Sequence, residues 1–209
     1  MPPIPKFTRE EIIDVALNIV REEGKEALTA RAVACRLGCS TSPIFTIYQD
    51  MDELKADVYD AALKLFYAFM ADCRNYLPPF KQQGMISFKF AKEEPNLFKL
   101  AHMGWYNKPK DIRELYEEML NADSMIIDRI QKEYGLGNRE EADFLYGRLW
   151  TYTFAFASLT ANGQCSFTEN EIVEGLGIEF MAVLDYIKSG KYKIKTVRPT
   201  KNVKEKKPD

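Results

Sequence analysis

The chain has 209 residues, of which 46% are hydrophobic and 29% charged, a balance that supports a buried core and excludes an intrinsically disordered polymer. Lysines and arginines number 29 and acids 31, leaving a formal charge of −2, so no overall positive field singles out nucleic acid or a membrane surface as partner. Four cysteines are too few for a disulfide scaffold.

Helical signals recur along the chain and strand signals are nearly absent. Thr8-Arg-Glu-Glu11 reads as a capping box, in which a hydroxyl and a carboxylate satisfy free backbone N–H groups, and Ile12, Ala16, Ile19 and Val20 follow at helical spacing. Gly24 fits a helix stop. Thr29 is expected to cap a second, short helix that turns Val33 and Leu37 inward and ends at Gly38. Ser40 is expected to cap a third helix over about 41–49, with Pro43 in its first turn, where a missing N–H breaks no helical bond.

Asp50-Met-Asp-Glu53 reads as another capping box, opening a long helix with Leu54, Val58, Ala61, Ala62, Leu65 and Phe69 on one face. Pro78-Pro79 separates it from a helix near 84–93. Pro95 starts the next, which ends near 102–104. A further helix is expected over about 110–134, stopped by Gly135. Asn138-Arg-Glu-Glu141 caps one that ends near 162–163. Thr168-Glu-Asn-Glu171 caps the last, with Ile172, Leu176, Phe180, Val183, Leu184 and Ile187 on its apolar side. The expectation is an all-α chain of about nine helices, in which residues 1–50 form a three-helix helix-turn-helix unit and residues 51–190 a larger helical domain.

Residues 191–209 differ in kind. Eight basic residues face only Glu205 and Asp209, a net of +6, and the segment reads as a flexible basic tail. The opening MPPIPKFTREE lacks the apolar stretch of a signal peptide. The longest uncharged run, 149–168, is about long enough to cross a bilayer, yet nine of its twenty residues are polar or glycine. No membrane span is therefore expected, and the cytoplasm is the expected location.

The stretch that carries a mechanism is 29–54, TARAVACRLGCSTSPIFTIYQDMDEL. It reads as a helix, a short turn with Gly38, and a second helix led by small hydroxyl residues. A helix that enters a DNA major groove, about 12 Å wide, needs short polar side chains at its leading end. Ser40, Thr41, Ser42, Phe45 and Thr46 are the candidate contacts to base edges or phosphates. Thr29 and Arg31 would meet the backbone at the start of the preceding helix, and Lys6 and Arg9 could add contacts from the N-terminal arm.

This stretch resembles the tetracycline-repressor (TetR) family of bacterial transcription regulators. The matching residues are Thr29-x-Arg31-x-Val33-Ala34, Leu37-Gly38-Cys39-Ser40, Ile44-Phe45-x-x-Tyr48 and Glu53-Leu54, against the family's Thr-x-Arg-x-Ile-Ala, Gly-Val-Ser, Leu-Tyr-x-x-Phe and a Lys-Glu-x-Leu type helix start. The match covers about residues 8–56. Further on, Glu94-Pro95-Asn96-Leu97-Phe98 is similar to a family helix start. The stretch from Leu149-Trp150 to Leu159 is similar to the family's Trp-x-x-x-His-Gly-Leu-Ala segment, with Phe154 and Ala155 replacing His-Gly. Two departures stand out: Phe45 occupies a position where the family often has a phosphate-binding Tyr, and Met51 one where a phosphate-binding Lys is common. In residues 1–50 six basic residues face seven acids, which implies few phosphate contacts.

The resemblance implies a homodimer whose N-terminal units read the two halves of a palindromic operator and whose larger domain binds a small molecule that releases the DNA, most often as a repressor. It also implies that the last two helices build the dimer interface. Gly175 and Gly177 fit close helix approach or merely a looser helix. A helical protein-interaction module with a degenerate helix-turn-helix is the alternative function.

Residues 55–160 are rich in aromatic residues and methionine. Phe66, Phe69, Phe90, Phe98, Met103, Trp105, Tyr106, Tyr116, Met119, Trp150 and Phe154 can line an apolar pocket for an apolar or aromatic effector or serve as ordinary core. His102 can bond to such a ligand or sit in the core. Cys35 and Cys39 fit small core packing, with a thiol sensor or metal site as the other possibility, although zinc would need two more ligands. No Gly-rich phosphate loop, Gly-x-Ser-x-Gly elbow or His-Glu-x-x-His motif occurs. Neither an enzyme nor a cofactor or metal is expected.

Overall fold

The computed structural model describes residues 7–71, 79–105 and 124–192, together with positions 114, 117, 120 and 121. Among these residues there are nine α-helices and no strand, so the all-α expectation holds.

Helix α1 (Arg9–Glu23) begins at the expected box. Thr8 Oγ1 accepts from Glu11 N at 3.1 Å, and the Glu11 carboxylate accepts from Thr8 N at 2.8 Å. Ile12, Ala16, Ile19 and Val20 are buried along one stripe, and Gly24, at φ +91°, lets the chain turn into a single 3₁₀ turn, Lys25–Ala27. Helix α2 (Ala30–Arg36) and helix α3 (Ile44–Ile47) follow.

Helix α4 (Met51–Met70) is capped by Asp50, whose carboxylate accepts from Asp52 N and Glu53 N, both at 2.9 Å. The reciprocal bond is displaced by one residue, since Glu53 accepts from Gln49 N at 2.7 Å rather than from the cap itself. Leu54, Val58, Ala62 and Met70 are buried, but Leu65 is exposed. This corrects the expected face: the buried row advances in steps of four through 54, 58 and 62, and Phe66 takes the next inward place.

Helix α5 (Pro79–Glu93) starts about five residues before the expected position. Helix α6 (Pro95–Met103) has proline at its first position, as a helix start favours. Of the helix expected over 110–134, positions 114, 117, 120 and 121 are helical and Ser124–Tyr134 is α7; the rest lies outside the described residues. Helix α8 (Arg139–Ala161) is capped by Asn138, which accepts from Glu141 N at 2.9 Å. Helix α9 (Glu169–Lys188) carries the expected Thr168/Glu171 box, and its hydrogen bonds hold the Glu171 carboxyl below the usual range. Residues 193–209 of the basic tail lie outside the described residues. Tyr192, however, stacks on Phe144 with ring centroids 4.4 Å apart.

One buried cluster runs from Ile12, Ile19, Val33, Ile44 and Tyr48 through Leu54 and Val58 to Phe90, Leu97, Phe98, Leu100, Ala157 and Ala161. The first three helices thus share their core with α4, α5, α6 and the end of α8. A second cluster joins Ile127, Ile130, Leu145, Tyr146, Leu149, Val183, Leu184 and Ile187 from α7, α8 and α9. Helix α8 packs against α5, α6, α7 and α9.

Two glycines permit close packing there. A Cβ on Gly175 would fall on the Tyr152 hydroxyl, and one on Gly84 would come 3.1 Å from Leu176 and 3.2 Å from Thr153. A Cβ on Gly177 would meet nothing within 4 Å. Arg148 pairs with Glu179 at 3.2 Å across α8 and α9, and Arg139 pairs with both Asp128 and Asp143.

Candidate functional site

The turn between α2 and α3 is built by local hydrogen bonds. Thr29 Oγ1 accepts from Ala32 N at 3.1 Å and caps α2. At the other end Gly38 sits at φ +64°, Gly38 N donates to Cys35 O at 3.2 Å and Cys39 N donates to Ala34 O at 3.0 Å. That pair of bonds is a Schellman ending, and it reverses the chain tightly enough to set α3 against α2.

The third helix is shorter than expected. It covers Ile44–Ile47, with Pro43 at its N-cap position and no side-chain cap from Ser40. Two local geometries confine it. Residues 41–43 form a turn in which Thr41 O accepts from Ile44 N at 3.1 Å, and Tyr48 adopts an extended ψ of 137° that stops the helix.

Inward and outward roles separate cleanly in this segment. Ile44 and Tyr48, four residues apart, are fully buried, at 0% and 1% exposure, and full burial of Ile44 contributes roughly 1.5–3 kcal/mol. Ser40, Thr41, Ser42, Phe45 and Thr46 face solvent, as do Thr29 and Arg31. Phe45 is 46% exposed, although an aromatic ring would normally seek cover. The Thr46 hydroxyl donates to Ser42 O at 3.0 Å, which fixes its rotamer, and the Thr29 hydroxyl is used by its cap. The seven residues singled out from sequence are thus all exposed, along the start of α2, the turn and α3.

The charge on this unit is largely neutralised internally. Arg9 was expected near the DNA, but its guanidinium bonds to Asp57 at 2.6 Å and Glu53 at 2.9 Å and lies 4.6 Å over the Tyr48 ring. The pairing follows from reach: α4 brings two carboxylates one helical turn apart under the first turn of α1. Those partners hold Arg9 protonated well above its ordinary value, and the Arg9 bond holds the Asp57 carboxyl below its own. Arg36 donates to Glu22 and Glu23, both at 2.7 Å, and Arg21 to Glu94 at 3.0 Å. Arg31 is exposed and makes no ion pair among the described residues. Lys6 lies outside them. Met51 is half-buried at the start of α4 and packs on the core.

The aromatic residues expected to line a pocket divide into groups. Phe66, Phe69, Phe90 and Phe154 converge with Phe98 and His102 where α4, α5, α6 and α8 meet. Phe66 meets Phe90 at 5.3 Å and His102 at 4.9 Å, Phe69 meets Phe90 at 5.2 Å, and Phe98 and Phe154 approach His102 at 4.4 and 5.6 Å. Trp150 stacks on Phe154 at 5.0 Å with rings 3° from parallel. Trp105 stands apart: its indole N–H donates to Lys55 O at 2.7 Å, and Lys25 Nζ donates to Gly104 O at 2.8 Å beside it. Tyr106, Tyr116, Met119 and the Met103 side chain lie outside the described residues. His102 is the residue whose place sequence reasoning left open. Its Nε2 is buried with no hydrogen-bond partner, and burial lowers its pKa to about 4.

Cys35 is exposed and Cys39 half-buried against the core, while Cys165 is exposed. Cys73 lies outside the described residues. Among those residues no group of three or more His, Cys, Asp or Glu is placed to hold a metal ion, and no helix is long and apolar enough to cross a membrane.

The arrangement is an exposed helix-turn-helix surface on an aromatic-rich, all-α body. Comparison with solved structures supports the fold. A TetR-like transcriptional regulator from Rhodococcus sp. RHA1 superposes with a TM-score of 0.57 at 14% identity, covering 90% of this chain and 100% of that one. A chain from Pseudomonas aeruginosa PAO1 described as a transcriptional regulator superposes with a TM-score of 0.61 at 15% identity, covering 88% and 93%. No family model and no curated protein matches the sequence. The chain therefore has the fold of TetR-like transcriptional regulators.

Proposed function

We propose that the protein is a dimeric, sequence-reading DNA-binding transcription regulator that a small apolar or aromatic ligand releases from a palindromic operator, acting as a repressor. The observation that carries this reading is the surface formed by Thr41, Ser42, Phe45 and Thr46, all outward while Ile44 and Tyr48 lock the helix from beneath. Hydroxyls and a thymine-methyl-seeking aromatic ring are the right chemistry for base edges, and the exposed Thr29 and Arg31 are the residues assigned to phosphates of the flanking backbone. In this reading residues 1–50 read DNA and residues 51–190 bind the effector and dimerise.

Dimerisation is supported by the outer face of α9. Ile178, Met181 and Tyr186 are exposed there, Ile178 at 64% and Met181 at 54%, and they recur at helical spacing, so a second copy of α9 can cover them. To read both halves of a palindrome, the dimer must hold its two α3 helices about one DNA turn, roughly 34 Å, apart. Effector action is then a population shift: the ligand must prefer the conformation whose half-site spacing mismatches the operator. The polar contacts of Lys25, Lys55 and Trp105 give the end of α6 a grip on both the reading unit and α4.

The test is selection of bound duplexes from random DNA with the purified protein at two salt concentrations. Recovery of one palindrome supports the regulator. The second reading, a protein-interaction module whose helix-turn-helix no longer reads DNA, is favoured by the exposed Phe45 ring and by the internal pairing of Arg9 and Arg36. Absence of enrichment at both salt concentrations would remove the DNA-reading function and support this second reading.

A further inference from the structure

His102 lies in the last turn of α6, enclosed by Phe98 of its own helix, Phe66 of α4 and Phe154 of α8, with ring centroids 4.4–5.6 Å away. Its Nε2 is shut off from solvent and makes no hydrogen bond. Buried polar atoms in native proteins are almost always paired, so an orphaned ring nitrogen among aromatic rings marks a place where a partner is missing. The Ser158 hydroxyl, one helical turn beyond Phe154 on the same face of α8, is buried and unpaired as well.

We infer that His102 Nε2 is the polar handle for a neutral, hydroxyl-bearing aromatic ligand of the phenol type, its ring packed against Phe66, Phe98 and Phe154. This rests on the effector-binding reading above and gives that effector a chemical class. Three arguments select it. The surrounding rings accept another ring in edge-to-face or offset contact. A hydroxyl both donates and accepts, so it satisfies either tautomer of a neutral imidazole. Among the described residues no charged group bonds to His102, and burial alone sets its proton affinity. A carboxylate or ammonium buried here would lack a counter-charge and would be strongly disfavoured.

The chain has one histidine, so its imidazole NMR signals are unambiguous. The experiment titrates the full chain with phenol, toluene, benzoate and benzylamine, following those signals and measuring affinity by calorimetry. Phenol is expected to move the His102 signals saturably and to bind about tenfold more tightly than toluene, the worth of one added hydrogen bond, with benzoate and benzylamine weaker than phenol. His102→Phe should bring phenol down to the affinity of toluene while toluene still binds, and His102→Gln should restore part of the preference. Failure of phenol to bind, equal affinity for phenol and toluene, imidazole signals unmoved at saturation, or an undiminished phenol preference in His102→Phe would each overturn the assignment. The duplex selection separates the two claims. A recovered palindrome without phenol binding leaves the regulator standing and removes the phenol class, whereas phenol binding without a palindrome keeps the site and removes the DNA reading.

Discussion

The Tyr48 hydroxyl donates to Asp57 Oδ2 at 3.0 Å, and the same oxygen accepts from Arg9 Nε at 2.6 Å. One carboxylate on α4 therefore ties the residue that ends α3 to the first turn of α1. Burial and the Asp57 carboxylate hold the Tyr48 phenol well above its ordinary value, so it stays a donor at every working pH. Asp57→Asn is expected to lower the unfolding free energy by about 1–2 kcal/mol, the range for hydrogen bonds to a charged group once partial exposure is allowed for. The Asp57 carboxyl titrates below its unfolded value of 3.8, so its contribution is complete above that pH and fades as pH falls further. Urea melts between pH 5 and pH 2.5 should show a shallower acid loss in Asp57→Asn than in the native chain; equal slopes would rule the network out as a source of acid sensitivity.

His102 shifts in the opposite sense for a base. Its folded pKa of about 4 lies below the unfolded value of 6.5, so between those values the unfolded chain holds a proton that the folded chain refuses. Stability should be unaffected by this group above pH 6.5 and should fall as pH drops towards 4, by about 3 kcal/mol in all. His102→Phe should remove that slope. A slope of the same size in the variant would assign it to other groups.

Gly175 and Gly177 make a matched pair. Gly175→Ala would push a methyl group into the Tyr152 hydroxyl and should cost about 1–3 kcal/mol, the usual range for overpacking. Gly177→Ala meets nothing within 4 Å and should stabilise by about 0.5–1 kcal/mol through helix propensity. Thermal denaturation of the two variants decides it, and a larger loss at 177 than at 175 would contradict the packing described.

On the exposed surface, Ser42→Asp should abolish duplex binding while the melting temperature stays within about 2 °C of the native value, because Ser42 faces solvent and exposed substitutions change stability little. With about four phosphates neutralised per protomer, affinity should fall as roughly the −3.6 power of salt. Over both protomers of the proposed dimer that slope doubles to about −7, and a slope of about −11 would mean that Arg9 and Arg36 leave their carboxylates on binding.

Ile178→Glu combined with Met181→Glu should leave each protomer folded and convert the sample to monomer in sedimentation. A dimer that survives both changes would place the interface elsewhere.

The helix starts were legible because each rests on a local device. Thr8, Thr29, Asp50, Asn138 and Thr168 cap within three residues of themselves, and a linear pattern holds that information in full. The end of α3 was not legible, since it depends on Tyr48 turning extended to reach Asp57. The ion pairs of Arg9 were hidden for the same reason: its partners are 44 and 48 residues away. The outward placement of residues 40–42, 45 and 46 could be anticipated because small hydroxyl residues next to a buried pair are visible as a string. The enclosure of His102 was not, because it requires three helices to be brought together first.

The four-residue helix α3 is fastened by Ile44 and Tyr48, with Ile47 packed against the same core, and its outward side chains carry almost no structural duty. Variation at 41, 42, 45 and 46 is therefore nearly free of folding consequence. If that surface reads DNA as proposed, descendants of this gene could acquire new target sequences by drifting through those codons, with the scaffold beneath them left untouched.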